Sequence, residues 1–284
     1  MRTWSACALA LGLASAAPLS SQSHPTSGPI TRVDHFYAES GAMDVLLGFL
    51  KDDLDLPEAW PDQDYGAFAT GAVSLGNVTF EVLRFGEPTG SGAARFAGIA
   101  LEPEGDTRSL LEWLAPRGID HGTPQTFPPE GPAFFETTAL PALIPEGAEV
   151  FVCDYKDRQL ILRSQAENRA ILAGRNGGPL GLLGVEELLV ESTDLTRSLE
   201  AWSALVARTH AAGDQVLVEF HSGPRIRIQR GESNRFVGIS LLVRSLEEAE
   251  AFLAAGGLLG PRIDNGLSID PEALGGLRIL IVEG

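Results

Sequence analysis

Two side chains combine reactive chemistry with a strand pattern. His35 stands in ITRVDHFYA (30–38), and Glu81 interrupts the apolar alternation of VTFEVLRF (78–85). An imidazole and a carboxylate can act together as acid and base. The same pair suits divalent iron, manganese, zinc or nickel. Each residue also has a plainer reading. His35 follows Asp34 and can be a hydrogen-bonded strand residue. Glu81 can face solvent, or pair internally with Arg84, because a buried charge needs a partner.

The elements that would position these groups follow one order. ITRVDHFYA reads as a strand, with Val33, His35 and Tyr37 on one face. SGAMDVLLGFLKDDL (40–54) then spaces Met43, Leu46, Leu47 and Leu50 for a helix, with Ser40 as candidate cap. Residues 65–75 and 78–85 read as strands around the Gly76-Asn77 turn. A second unit opens with RFAGIAL (95–101), continues with a helix capped by Asp106 or Thr107, and ends in strands over 134–138 and 148–155. A third runs from LGVEELLVES (183–192), and a fourth opens with RFVGISLLV (235–243) and a helix capped by Ser245. Arg95-Phe96-Ala97-Gly98-Ile99 and Arg235-Phe236-Val237-Gly238-Ile239 share an opening pattern. Four similar units of this kind indicate repeated architecture, with paired units curling round shared cavities.

Residues 1–20 read as a signal peptide: Arg2, an apolar run from Ala6 to Ala17, and the small residues Ala14-Ser15-Ala16 at the cleavage position. Residues 21–29 are a flexible leader. Removal of the signal leaves about 265 residues, enough for a large domain or two ordinary ones. The expected location is secreted or periplasmic. The net charge is −17, with Lys51 and Lys156 the only lysines. Such a surface repels nucleic acid and anionic membranes, and no later stretch is apolar enough to span a bilayer. After Cys7 only Cys153 remains; it reads as a buried thiol, and no disulfide framework exists. Neither a phosphate loop nor a dinucleotide fingerprint is present.

Paired β-α-β-β-β units, with Asp34-His35 in the first strand and LGNVTFEVLRFG (75–86) as the fourth, resemble the vicinal oxygen chelate superfamily. That group includes glyoxalase I, extradiol ring-cleaving dioxygenases and bleomycin resistance proteins. The resemblance covers nearly the whole mature chain. It implies an α+β fold of four such modules paired into two cup-shaped mixed sheets flanked by helices. The expected first domain is 30–156, with modules 30–86 and 94–156. A linker follows at 157–179, where a short helix is an option, and then a second domain at 180–284, with modules 182–232 and 234–283.

The resemblance further implies a divalent metal between paired modules, held from first and fourth strands. On this chain those positions carry His35 and Glu81, with Asp154 as the third candidate and Ile99 where the partner module's first-strand ligand would stand. Glu81 would also move the proton. Tyr37, Phe80, Phe135 and Tyr155 are candidates to line the cavity, with plain core packing as the alternative for each. In the second half Glu187 takes the place of His35, Arg227 that of Glu81 and Ile239 that of Ile99, so the three-ligand pattern of ring-cleaving dioxygenases is absent. Two readings stay open: an exported glyoxalase-like enzyme (lyase, isomerase or dioxygenase) acting on a small oxygenated molecule through a metal, or a binding protein that kept the cup and lost the metal. A homodimer is compatible with either.

Overall fold

The structure, a computed structural model, describes residues 28–88, 92–128 and 132–284. The expected signal and most of the leader lie outside the described residues. Each quarter of the chain builds a strand, a helix and a meander. The first is β1 (Ile30–Ser40), α1 (Met43–Gly48), β2 (Glu58–Asp64), β3 (Phe68–Ser74) and β4 (Thr79–Phe85). The second is β5 (Ala94–Pro103), α2 (Thr107–Leu114), β6 (Gln125–Phe127), β7 (Phe135–Ala139) and β8 (Glu149–Tyr155). After α3 (Arg158–Gly174) come β9 (Leu182–Ser192), α4 (Leu195–Ser203), β10 (Arg208–Ala212), β11 (Gln215–Glu219) and β12 (Arg225–Arg230). The last unit is shorter: β13 (Arg235–Val243), α5 (Leu246–Ala255), β14 (Leu267–Ser268) and β15 (Ile279–Glu283).

The first two units form one eight-stranded sheet, ordered β2-β3-β4-β1-β5-β8-β7-β6, and the last two a seven-stranded sheet, β10-β11-β12-β9-β13-β15-β14. Within each unit the first strand runs parallel to the last, and the first strands of partner units pair antiparallel at the sheet centre. This is the α+β, four-module, two-cup architecture that the resemblance implied.

The caps expected from the sequence form at α2 and α5, and α4 has one as well. Asp106 accepts from the Ser109 amide, Asp194 from those of Thr196 and Arg197, and Ser245 from that of Glu248. Ser40 differs: it ends β1, and its hydroxyl accepts from the Ala42 amide.

The outer faces of the sheets share one core. Phe36 stacks on Phe80 with centroids 4.9 Å apart, and Phe96 stacks on Phe236 of the second sheet at 4.7 Å. Such pairs add about 0.5–1.5 kcal/mol each beyond area burial. Phe80 therefore belongs to the core between the sheets and does not line the cup.

The eight-stranded sheet curls until its two ends meet. Tyr65, just after β2, stacks on Phe68 and sets its ring edge-on to Phe127 of β6, with centroids 5.8 Å apart. Phe127 in turn stacks on Phe135 at 5.0 Å. These rings clasp the rim of the first cup.

The segment expected as a linker carries the 17-residue helix α3. It lies across the concave face of the first sheet, touching β2, β3 and β8. Its sequence shows little amphipathic contrast, because it packs against a polar surface.

Candidate functional site

The polar array on the concave face of the first cup starts from a β-bulge. Val33 pairs with Leu101 and His35 with Ala100, so Asp34 is the extra residue in β1. A bulge re-aims side chains. Here it lets Asp34 and His35 both serve the concave side. The same device recurs in the second half, where Val185 pairs with Leu241 and Glu187 with Ser240, leaving Glu186 as the extra residue.

Asp34, His35 and Glu81 form a chain. His35 Nδ1 donates to Asp34 Oδ2 at 2.7 Å, the tautomer that this partner selects. Nε2 then faces Glu81 Oε2 at 3.5 Å. The Thr70 hydroxyl donates to Glu81 Oε1 at 2.5 Å, and the Trp60 indole N–H reaches Thr70 Oγ1 at 3.4 Å. Tyr155 donates its hydroxyl to Asp34 Oδ2 at 2.9 Å, and Gln165 of α3 donates its amide to Asp34 Oδ1 at 3.1 Å. Trp60 and Phe151 each meet the imidazole edge-on, with centroids 5.9 and 5.8 Å away. His35 is 6% exposed, so these partners, and not water, set its charge.

Burial and charge act against each other here. For Asp34 burial pushes the pKa up, but the hydrogen bond and charge of His35, with Arg32 nearby, bring it below the ordinary value. For His35 burial pushes it down, and Asp34 and Glu81 outweigh that and raise it. For Glu81 burial raises it more than His35 and Thr70 lower it. An imidazole lone pair facing a carboxylate needs positive charge between them, so this pair holds a proton or a cation.

The structure brings together His35, Glu81 and Tyr155 from the sequence candidates. Tyr37 also lies on the concave face, flat over Gly98, donating its hydroxyl to Glu149 at 2.8 Å. Phe135 lies against Tyr155 in the rim cluster. Asp154 does not join them. It sits on the opposite face of β8, where its Oδ2 accepts from the amide and hydroxyl of Thr107 at the start of α2. Arg84 does not pair with Glu81; it reaches Asp64 and the Gly86 carbonyl.

The bulge also moves the partner position by one residue. Ala100, not Ile99, stands opposite His35, while Ile99 pairs with Phe36 and joins the core. In the second half Ser240, not Ile239, stands opposite Glu187. Sequence alignment of the units cannot see a one-residue shift that only the pairing creates. The concave face of β8 brings Phe151, Cys153 and Tyr155. Cys153 is buried, and burial raises its thiol pKa.

The donor set can now be tested against a facial metal site, which takes three protein ligands. His35 Nε2 and Glu81 are two donors. Ala100 and Phe151, the neighbours where a third would come from, have none. Among the described residues no three His, Cys, Asp or Glu side chains converge as such a site requires. The residues present do not fit a three-ligand centre.

In the second cup the equivalent positions hold an internal ion cluster. Arg225 donates to Glu187 Oε1 at 2.6 Å and to Glu186 at 3.1 Å, and Arg227 Nη2 lies 2.7 Å from Glu187 Oε2.

Comparison of folds agrees with this architecture. An extradiol ring-cleaving dioxygenase from B. fuscum superposes with a TM-score of 0.63 at 10% identity, covering 90% of this chain and 72% of that one. This chain shares the fold of that ring-cleaving dioxygenase, as the resemblance implied. The 2,3-dioxygenase LapB from Pseudomonas sp. KL28 matches with a TM-score of 0.61 at 11% identity, over 90% of this chain and 93% of that one. A hypothetical protein from Staphylococcus aureus gives 0.61 at 11% identity, over 90% and 100%. At such identities the likeness establishes the shared fold and leaves the chemistry to the residues. No family model and no curated protein matches the chain.

Proposed function

We propose that this is an exported protein whose first cup takes a small oxygenated molecule, held by the largely buried Asp34–His35–Glu81 array without a three-ligand metal centre. One observation carries the reading: His35 Nε2 faces Glu81 at 3.5 Å inside a largely buried polar network. The protonated imidazole can donate to a ligand oxygen, and Glu81 can accept from a ligand hydroxyl. Asp34 fixes the ring and stabilises its positive form, as an orienting carboxylate does. Proton exchange between ligand and this pair is the chemistry that the array can supply. The dioxygenase neighbours share the fold but do not fix the substrate.

A second reading is favoured by the Nδ1 bond to Asp34, which leaves Nε2 as the metal-facing nitrogen. His35 and Glu81 alone would then hold a divalent iron, manganese, zinc or nickel ion.

Metal analysis of untagged protein, incubated with each of these ions and desalted, separates the two. The first reading expects no stoichiometric metal in the wild type, and line broadening of the His35 ring signals in NMR titrations with small hydroxy and 2-oxo acids. Metal at one per chain that disappears in His35→Ala overturns it in favour of the second. Ring signals unmoved by every probe overturn the small-molecule reading itself.

A further inference from the structure

Entry to the first cup is the problem that this reading leaves. Its concave face is covered by α3, and the pattern of contacts along that helix is uneven. Near its C-terminal end Leu172 is 3% exposed and belongs to the core, and Arg175 just beyond is tied to Asp55. The chain then turns through Gly177, whose φ of +83° and close approach to Leu182 leave no room for a side chain. That end is fixed.

The first two turns are different. Leu172 is the only buried residue of α3. The N-terminal half is held by polar contacts: Arg158 pairs with Glu102, and Gln165 bridges the cup by donating to Asp34 and accepting from Arg32 Nη2 at 2.7 Å. Leu160 is 47% exposed, and Ile161 and Leu162 beside it are only partly buried, so no fully buried apolar side chain holds this half down. Segments with few buried apolar contacts and many partly exposed hydrogen bonds open at a fraction of the global cost.

We infer that the N-terminal half of α3 is a releasable strap which occupies the first cup in place of a ligand and lifts to admit one. Gln165 is the central contact. Its amide uses the outer oxygen of Asp34, the carboxylate that orients His35, so strap and ligand draw on one polar array. Lifting Gln165 frees Asp34 Oδ1 and Arg32 for water or for a ligand, and leaves the Nδ1 bond of His35 in place. The inference rests on the small-molecule reading for its purpose, but strap release is measurable without any ligand.

Cys153 supplies the reporter. It is buried on the concave strand β8 and interacts with Tyr155, which itself bonds Asp34 beneath Gln165. The experiment follows N-ethylmaleimide labelling of the full chain, with modified Cys153 assigned by peptide mass spectrometry. It is repeated over low urea concentrations and for Gln165→Ala and Arg158→Ala. The expected result is labelling of the wild type with a weak urea dependence, the mark of local opening. The rate should rise about tenfold in Gln165→Ala, the size expected for losing bonds to charged groups, while its urea dependence stays as weak as in the wild type. Labelling that shows the full urea slope of global unfolding in all three proteins, or a rate unmoved by both substitutions, overturns the strap. If the strap opens and hydroxy and 2-oxo acids still leave the His35 signals unmoved, the small-molecule reading fails and the strap stands.

Discussion

The two cups solve one problem in opposite ways. Each places an acidic residue beside the central position through the same bulge, Asp34 before His35 and Glu186 before Glu187. In the second cup the buried carboxylate of Glu187 receives two arginines from β12, and its charge is satisfied within the protein. In the first cup Glu81 receives only Thr70 and a distant imidazole nitrogen. A largely buried carboxylate without a fixed cation is an incomplete arrangement. The comparison teaches that the second cup neutralises its carboxylate internally and the first does not, and this difference is what favours the first cup as the proposed binding site.

The largest expected effect tests the stable cup. Glu187→Ala removes every bond that Arg225 and Arg227 make to this carboxylate. Discounted for arginines 39% and 30% exposed, the loss should be about 2 kcal/mol in urea unfolding. Glu81→Gln should cost less than half of that. Equal losses at the two positions would break the comparison.

Next comes pH. The folded-state values of His35 and Glu81 lie above their ordinary ones, so the native state holds those protons more tightly. The stabilisation is present below the unfolded values and is lost as pH rises through the folded ones. With an ordinary value of 6.5 for His35, stability should fall above that pH by at most about 1.4 kcal/mol per pH unit for one proton. The pair titrates as a unit. Asp34, lowered, acts in the opposite sense: its contribution is lost as pH falls through and below 3.8. Thermal unfolding against pH should lose its decline above pH 6.5 in His35→Gln and keep it in Glu187→Gln. The smallest effect is at Thr70. Thr70→Val removes the donor to Glu81 and should cost about 0.5 kcal/mol, the low end for one hydrogen bond. It should also shift the alkaline decline upward, because Glu81 loses a bond that favours its ionised form.

Much of the fold was legible because apolar periodicity and turn residues repeat in all four units. His35 and Glu81 were legible as a pair because each interrupts a strand pattern with reactive chemistry, and parallel pairing of β1 with β4 then sets Tyr37 beside Glu81 and His35 two residues back. Three features were not. The bulge at Asp34 is a pairing event, and it alone decides that Ala100 faces His35. Asp154 looked equivalent to Glu81, but alternation along β8 turns it towards Thr107. The role of α3 was hidden because a helix that packs on polar groups lacks the apolar stripe by which helices are recognised. Arg158, Gln165 and Leu172 carried that information only once their partners were known.

The clasp between Tyr65 and Phe127 has a consequence for association. Sheets normally end in rows of unpaired amides and carbonyls that can template strand addition from another molecule. In the first sheet the terminal strands are β2 and β6, and the clasp draws these ends towards each other. β2 adds Pro61, which removes a donor, and a run of acidic and amide side chains from Asp62 to Asp64. The aromatic rim is thus also a guard against edge-to-edge aggregation.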